Sequence, residues 1–480
     1  MIQNTKPPYQ IMRLKLHFEH LLLFLFPVIL YGCKAQSQTS SSGGTGSADN
    51  TGATVVQTSA DALFQKGTNV IFILGDDVGY EIPGYTGGQS YSTPNIDMMA
   101  KGGIQFSRCY TAPSCSPSRA MLLTGKYNFR NYNGWGDINA NEKTIATLMK
   151  DAGYETCMAG KWQMNGDAKL PSALGFTHYM RANEMSEQWA SQGKPGYYKY
   201  PAVFEDGAYL PDNKVNGKYG QDLFRDYIFN FIDEYKNRKP FFVYWSMNLP
   251  HKPFAPTPDD PAYASWPRAH GYEPGDTIYF PSMVKYMDKL IGQLIDKLKN
   301  QNLLNNTVII FAGDNGTDHI SSRWNGQVIQ GRKSETNEYG THVPLLVYAP
   351  GRVQAGVKDG SLVDFTDFMP TLAGLAGVQL QNGYTTDGVS FAPRLKGLPG
   401  TPRPWVFCSY QPHPEKPNSK ERRWMQDSVY KKYDNDMGGN GGFYNIQKDP
   451  LERFPISRAE MTDAEKKIDD RFMILMKTLH

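Results

Sequence analysis

Four apolar runs constrain this chain more than any other feature of its sequence. They are Val70-Ile71-Phe72-Ile73-Leu74, Phe241-Phe242-Val243-Tyr244-Trp245, Thr307-Val308-Ile309-Ile310-Phe311 and Val343-Pro344-Leu345-Leu346-Val347-Tyr348. A strand wetted on one face alternates apolar with polar residues, so an unbroken run fits a strand covered on both faces. Helical spacing fills the intervals. Val284, Met287, Leu290, Ile291, Leu294, Ile295 and Leu298 precede the run at 307. Leu223, Phe224, Tyr227, Ile228, Phe231 and Ile232 precede the run at 241, and Ile145, Leu148 and Met149 mark a helix before Tyr154-Glu155-Thr156-Cys157. This alternation predicts an α/β fold with a large, mostly parallel central sheet sandwiched by helices. Pro344 lacks an amide hydrogen and is expected near the start of its strand or at a sheet edge. Beyond residue 400 the texture changes to short strands at 405–410, 423–426, 430–433 and 442–446, then a helix within 459–480. A smaller C-terminal antiparallel sheet with a closing helix is expected.

The N-terminus reads separately. Lys6, Arg13 and Lys15 precede an apolar stretch over 21–30. That stretch is short of the ~20 residues that span a bilayer, but it suits a signal-peptide core. It leads into Leu30-Tyr31-Gly32-Cys33, which resembles a bacterial lipoprotein signal with Cys33 as the lipidated residue. Residues 35–55, rich in Ser, Thr, Gly and Gln, suit a flexible tether. The expected organisation is a signal segment over 1–33, a tether over 34–60, the large α/β domain over 61–400 and the C-terminal subdomain over 401–480. The protein is expected to be exported, as a periplasmic or outer-membrane lipoprotein held to the membrane by its lipid anchor. Its net charge of +3 comes without a dense Lys/Arg block, so no nucleic-acid partner is expected. The five cysteines form no disulfide framework in their spacing.

In a two-sided α/β sheet, polar residues just after strands are the natural place for a site. Asp76-Asp77 follow the first run and Asp314-Asn315 follow the third. Adjacent carboxylates repel unless a cation or hydrogen-bond donors compensate. Four oxygen-bearing side chains at one sheet edge suit Ca²⁺ or Mg²⁺. Turn formation alone also accounts for Asp-Asn-Gly. Cys115 stands before a short helical pattern, and Arg119 one turn later can face the same place. Chemistry alone leaves Cys115 open as a nucleophilic thiolate, a structural cysteine or a modified residue.

Cys115-Ser116-Pro117-Ser118-Arg119, followed by Thr124-Gly125, resembles the signature of the formylglycine-dependent sulfatases, in the alkaline-phosphatase-like superfamily. Further motifs of that family occur in the expected order: Gly75-Asp76-Asp77-Val78-Gly79, Thr93-Pro94-Asn95-Ile96-Asp97, Gly160-Lys161-Trp162, Pro250-His251-Lys252-Pro253-Phe254, Gly313-Asp314-Asn315-Gly316, and Gly331-Arg332-Lys333 with Glu338. The similarity runs from about residue 68 to the C-terminus. The resemblance implies that a formylglycine-generating or anaerobic sulfatase-maturating enzyme oxidises Cys115 to formylglycine. One oxygen of the hydrated aldehyde would attack sulfur, and deprotonation of the other would expel sulfate. It further implies that Asp76, Asp77, Asp314 and Asn315 hold Ca²⁺, with Mg²⁺ the lesser candidate, and that Arg119 orients the hydrated aldehyde. Lys161, Lys333 and His251 would contact the sulfate, with Lys333 or His251 as proton donor to the leaving oxygen.

Two positions depart from the family pattern. Gln163 stands where many members have histidine, and Glu338-Tyr339-Gly340 stands where Glu-Gly-Gly is usual. Glutamine donates and accepts hydrogen bonds but does not titrate near neutrality. Gln163 can therefore position the diol but cannot act as its base. The expected substrate is a sulfated carbohydrate, such as an oligosaccharide from a marine polysaccharide or a glycosaminoglycan. Trp135, His319, Arg323, Trp324 and His413 are candidate outer-pocket contacts, although Trp135 and Trp324 read equally as core residues. The resemblance admits two other functions: a formylglycine-dependent phosphonate or phosphodiester hydrolase, and a tethered protein that binds sulfated glycans with little turnover.

Overall fold

The computed structural model describes residues 67–164, 169–182, 196, 198–267, 275–381, 383–434 and 441–479. Cys33, the signal segment and the tether lie outside the described residues. Sixteen strands are present among those described: β1 (Asn69–Gly75), β2 (Ile104–Tyr110), β3 (Glu155–Gly160), β4 (His178–Ala182), β5 (Val203–Glu205), β6 (Ala208–Tyr209), β7 (Phe241–Ser246), β8 (Thr307–Gly313), β9 (Ser321–Trp324), β10 (Gln327–Gln330), β11 (His342–Tyr348), β12 (Val357–Asp364), β13 (Val406–Tyr410), β14 (Arg422–Gln426), β15 (Tyr430–Tyr433) and β16 (Phe443–Asn445). Ten of them form one sheet in the order β12-β2-β11-β8-β1-β7-β3-β4-β5-β6. Its middle is parallel, β8-β1-β7-β3-β4, as is the β2-β12 pair. Strand β11 runs antiparallel to both its neighbours, and β5 and β6 add an antiparallel edge.

The unbroken apolar runs follow from burial on both faces. Val70, Phe72 and Leu74 of β1 enter one hydrophobic cluster, while Ile71 and Ile73 enter the other. The helix Phe280–Asn300 covers the second face with Val284, Met287, Leu290, Ile291, Leu294, Ile295 and Leu298, all buried. Beside it packs Gly220–Tyr235, which buries Phe224, Ile228, Phe231 and Ile232. On the first face lie Cys115–Thr124, Ile145–Asp151 and Phe368–Ala376. Pro344 is the third residue of β11, near the start of its strand as expected, though not at a sheet edge. Strand β11 is interior, between β2 and β8, and its pairing with β2 shifts register between Val343 and Leu345. That irregularity lets the ladder skip a residue with no amide hydrogen to give.

The C-terminal strands form a four-stranded antiparallel sheet in the order β13-β14-β15-β16, and the helix Asp463–Thr478 packs on it. Phe407, Trp424, Met425 and Phe472 share one continuous cluster with Phe72. The described residues form one compact unit. Among the described residues no helix is long and apolar enough to cross a membrane. Register in the middle of the large sheet aligns the strand ends. Leu74 is level with Ser246 and Ala312, Gly75 with Gly313, and Gly160 with Ser246. The loops after β1, β3, β7 and β8 therefore leave the sheet at one edge.

The packing predicts unequal costs for two aliphatic truncations on helices. Leu290→Ala, at a fully buried position, should lose about 2–5 kcal/mol in denaturant unfolding. Ile474→Ala, at a residue 65% exposed, should stay within about 0.5 kcal/mol of the parent.

Candidate active site

The site is built at that common edge. Asp76 and Asp77 follow β1, Asp314 and Asn315 follow β8, Lys161 follows β3 and Ser246 ends β7. Helix Cys115–Thr124 points its first turn at them. Pro117 is tolerated in that turn, where backbone N–H groups have no intrahelical partner. Ser118 Oγ donates to the carbonyls of Ala112 and Ser114, and Gly125 closes the helix at φ 66° with its N–H on the Met121 carbonyl. Every residue of this helix is buried, Arg119 included.

Arg119 ties three strand ends together. Its Nε and Nη2 donate to Asp314 Oδ2 at 3.1 and 2.7 Å, its Nη1 donates to Ser246 Oγ, and Nη2 lies 3.7 Å from Asp76 Oδ1. Lys161 Nζ donates to both oxygens of Asp76, at 2.8 and 2.7 Å. Lys333 Nζ donates to Asp77 Oδ2 at 2.8 Å, and Asn315 Nδ2 to Asp77 Oδ1 at 2.8 Å. His251 Nε2 is 3.8 Å from Asp77 Oδ2, while its Nδ1 faces the Lys252 carbonyl. The peptide bonds Leu249-Pro250 and Lys252-Pro253 around it are cis. Asp77 itself adopts φ 61°, and its N–H donates to Asp314 Oδ1 at 2.9 Å.

Two glycines permit the close approach of these loops. Gly160 has φ 107°, and a Cβ there would lie 1.9 Å from the Ser246 carbonyl oxygen. Next to it the Lys161 N–H donates to that oxygen at 2.6 Å. A Cβ on Gly316 would lie 1.9 Å from the Tyr339 carbonyl oxygen, so no larger residue fits beside Asn315 without moving a backbone. Trp162 turns the opposite way from Lys161 and packs into the core against Phe176. Gln163 is buried at φ 56°, with Ser116 Oγ donating to its carbonyl at 3.4 Å.

Burial and charge act against each other throughout. Burial opposes the charges on Lys161 and Lys333, but the carboxylates of Asp76 and Asp77 outweigh it and hold both amines above the ordinary lysine range. Burial would raise Asp77, yet Lys333, His251 and Lys161 hold it well below the usual carboxylate range. Burial pushes Asp314 up to about 6 despite Arg119. It also raises the Cys115 thiol, against the pull of Lys161 and Lys333. His251 is driven down by burial and by the two lysines, and so is neutral at neutral pH. As encoded, the Cys115 side chain is a buried thiol held from ionising, a poor nucleophile.

The residues fit a divalent cation. One oxygen or nitrogen each from Asp76, Asp77 and His251 lie within 4.8 Å of one another, as do one carboxylate oxygen each from Asp76 and Asp314 and the sulfur of Cys115. Asn315 Oδ1 is buried and has no hydrogen-bond partner. An orphaned amide oxygen among three carboxylates matches the hard-oxygen donor set of Ca²⁺ or Mg²⁺. Charge counting agrees. Three carboxylates (Asp76, Asp77, Asp314) face three cations (Arg119, Lys161, Lys333). A divalent ion would take over the carboxylates and free the lysines for an anionic substrate.

Other sequence-derived candidates fall into separate groups. Trp135 and His413 come together from distant segments, their rings stacked with centroids 5.0 Å apart, and His413 Nδ1 is 3.0 Å from Glu415 Oε1. Tyr132 links this platform to helix Cys115–Thr124 by donating to Ser116 Oγ at 3.1 Å and to the Pro412 carbonyl at 3.3 Å. His319 is exposed and follows Asp318, whose carboxylate pairs with Lys252 at 2.9 Å. Arg323 and Trp324 lie in β9 of the β9-β10 hairpin. Arg323 is exposed, and Trp324 instead lines a cavity that contains none of the residues around Cys115. Sequence reasoning missed Ser246 and Tyr244, whose hydroxyl Arg119 reaches at 3.5 Å. The available signal was a polar residue ending the apolar run at 241, level with the ends of the runs before Asp76 and Asp314.

Residues 68–378 match the family model described as Sulfatase. The chain is 30% identical to N-acetylgalactosamine-6-sulfatase of Canis lupus familiaris over 366 residues, spanning 71% of this chain and 68% of that protein. It is also 30% identical to arylsulfatase A of Homo sapiens over 383 residues, spanning 72% and 71%. Among solved structures, Ps i-CgsB in complex with k-i-k-neocarrahexaose superposes with a TM-score of 0.69 at 26% identity, covering 86% of this chain and 92% of that one.

The charge balance predicts two responses. Arg119→Ala leaves buried carboxylates facing each other and should cost about 3–5 kcal/mol in unfolding experiments. Added Ca²⁺ should raise the melting temperature of the native protein, with ~2.7 kcal/mol gained at a hundredfold excess over Kd. Asp77→Asn should remove most of that calcium response.

Proposed function

The chain belongs to the sulfatase family, and from that premise we propose that it removes sulfate from a sulfated carbohydrate, using formylglycine made from Cys115. The observation that carries this reading is the placement of Cys115: the first residue of a buried helix, within 4.8 Å of carboxylate oxygens of Asp76 and Asp314, as a thiol unfit for attack. Formylglycine supplies, as its hydrate, one hydroxyl to attack sulfur and a second whose deprotonation releases sulfate. A maturation enzyme, either formylglycine-generating or anaerobic sulfatase-maturating, is the partner this requires.

The chain's own groups then have defined tasks. Asp76, Asp77, Asp314 and Asn315 would hold a divalent cation, which would lend positive charge to a sulfate oxygen. Arg119, fixed by Asp314 and Ser246, keeps a guanidinium against position 115. Lys161 and Lys333 receive the other sulfate oxygens, where charge shifts as the S–O bond breaks. Lys333, held protonated beside Asp77, donates the proton to the leaving oxygen, or His251 does so after taking up a proton as the sulfate binds. Gln163, held in its left-handed backbone conformation, positions rather than titrates.

A carbohydrate as the leaving group is supported by the relatives. One is named for N-acetylgalactosamine-6-sulfate chemistry, and a structural neighbour holds a neocarrahexaose. In this chain Trp135 stacked on His413 offers an aromatic wall connected through Tyr132 to Ser116, with His319 and Arg323 exposed on another loop and hairpin. An oligosaccharide from a sulfated marine polysaccharide fits these contacts. We further assign the protein to an exported location, anchored through a lipid on Cys33.

A sulfate-release screen over defined carrageenan and glycosaminoglycan oligosaccharides tests the function. The fraction of Cys115 converted to aldehyde is first measured by peptide mass. Converted protein should release sulfate from a subset of these sugars, and Cys115→Ala should reduce turnover by at least about a thousandfold. Trp135→Ala should raise KM for the oligosaccharide about tenfold, equivalent to ~1.4 kcal/mol, without changing kcat on 4-nitrophenyl sulfate. Converted protein that cleaves only phosphonates or phosphodiesters, or binds sulfated glycans without turnover, would overturn the proposal. Cys33→Ala should move the protein from the membrane fraction to the soluble fraction of a cell lysate.

A further inference from the structure

Lys333 stands in a turn that two other parts of the molecule hold. Its own N–H donates to the Thr317 carbonyl at 3.0 Å. The next N–H, of Ser334, donates at 2.7 Å to the carbonyl of Pro113, just before Cys115. Ser334 adopts φ 70°, a left-handed conformation that is uncommon outside glycine and needs support from its surroundings. From this turn the Lys333 ammonium reaches Asp77. A little further on, at Thr336, the chain meets the C-terminal sheet.

The contact is made by β15. Side chains alternate between the two faces of a strand. Lys432 pairs with Asp469 of the helix Asp463–Thr478 at 3.0 Å, while Lys431 and Tyr433 turn the other way, towards the Lys333 turn. Lys431 Nζ donates to the Thr336 carbonyl and, at 2.8 Å, to Glu452 Oε1. The same ammonium lies 4.7 Å from the centre of the Trp424 ring and 5.1 Å from that of Tyr433. The Tyr433 hydroxyl is 2.7 Å from Thr336 Oγ1 and also meets Glu452 Oε2. Burial and the Glu452 carboxylate push that hydroxyl well above its usual range, so it keeps its proton.

These contacts cost more than packing requires. Lys431 is 0% exposed, and lysine is almost never fully buried unless paired, because its charge must leave water. An apolar residue would fill the space at lower cost but could not grip a backbone carbonyl. The same stretch borders a cavity of about 170 Å³, whose lining includes Thr336, Asn337, Tyr433 and Glu452. With open space beside it, the stretch is fixed by polar contacts rather than by close packing. We propose that Lys431 and Tyr433 are positioning residues for Lys333: through Thr336 the C-terminal sheet holds the turn so that the ammonium meets Asp77 and the anionic group of a substrate.

The role given to Lys333 rests on the sulfatase reading, whereas the hold on it can be measured without turnover. Lysine acetylation by N-hydroxysuccinimidyl acetate is followed by peptide mass in the full-length protein, with Lys161, on another loop of the site, as internal reference. An amine reacts only when deprotonated, and Asp77 holds Lys333 above the ordinary lysine range. Lys431→Met should loosen that contact, so that Lys333 is acetylated about tenfold faster while Lys161 stays within about twofold of the parent. Tyr433→Phe should give a smaller rise in the same sense, and it carries the test if Lys431→Met does not fold. At an equal converted fraction of Cys115, Lys431→Met should lower kcat/KM for 4-nitrophenyl sulfate about tenfold. Unchanged labelling of Lys333, equal rises at Lys333 and Lys161, or an unchanged kcat/KM would overturn the proposal. Parent protein that is converted yet inactive would contradict the sulfatase reading, while the labelling still decides whether β15 holds Lys333.

Discussion

The site depends on a guanidinium fully buried between strand ends. Arg119 lies on a helix whose every residue is buried, and it binds Asp314 while reaching Ser246 and Asp76. Removing charges from water is expensive, and such a group is tolerated only when fully paired. The pairing in turn fixes the helix against three strand ends, which places position 115 beside Asp76 and Asp314. Lys161 and Lys333 complete a balance of three positive and three negative groups. A divalent ion would tip that balance positive by two charges. A sulfate ester with its single negative charge is the kind of ligand such a surplus attracts.

The sheet supplies the register that this balance requires. Asp76 and Asp314 are 238 positions apart, yet Gly75 and Gly313 are direct neighbours across β1 and β8. Gly160 brings the Lys161 loop against β7 because it alone tolerates both φ 107° and the Ser246 carbonyl. The same sheet has a second consequence at β11. Its antiparallel course puts His342 and Glu338 at the edge where the parallel strands end, and there, with Tyr80 and Tyr110, they wall the cavity that Trp324 lines.

The fold was largely legible in the sequence because two-sided burial writes itself as unbroken apolar runs, and β1, β7, β8 and β11 lie where those runs are. The C-terminal strands were visible as short segments after residue 400. Pro344 lies near the start of its strand, as its missing amide hydrogen predicted, but composition cannot show that a register shift admits it to an interior strand. The four candidate cation ligands and Cys115 were legible because motifs carry them, and the structure gathers them at one edge. Ser246 was not, since a single serine after an apolar run is common and only the three-dimensional pairing shows Arg119 on it. Trp135 and His413 each stood out as candidates, but their stacking joins segments far apart in the chain. Trp324, also singled out as a candidate, lines a cavity formed by six separate stretches that no local pattern connects.

The central claim is that the encoded thiol is a precursor and that the modified residue at position 115 performs the chemistry. The most direct measurement compares preparations with different degrees of modification. The converted fraction is read from the mass of the Cys115 peptide, and sulfate release is measured on one sulfated oligosaccharide. The account predicts that specific activity is proportional to the converted fraction, with a line through the origin. Full activity in protein whose Cys115 is intact thiol would contradict it.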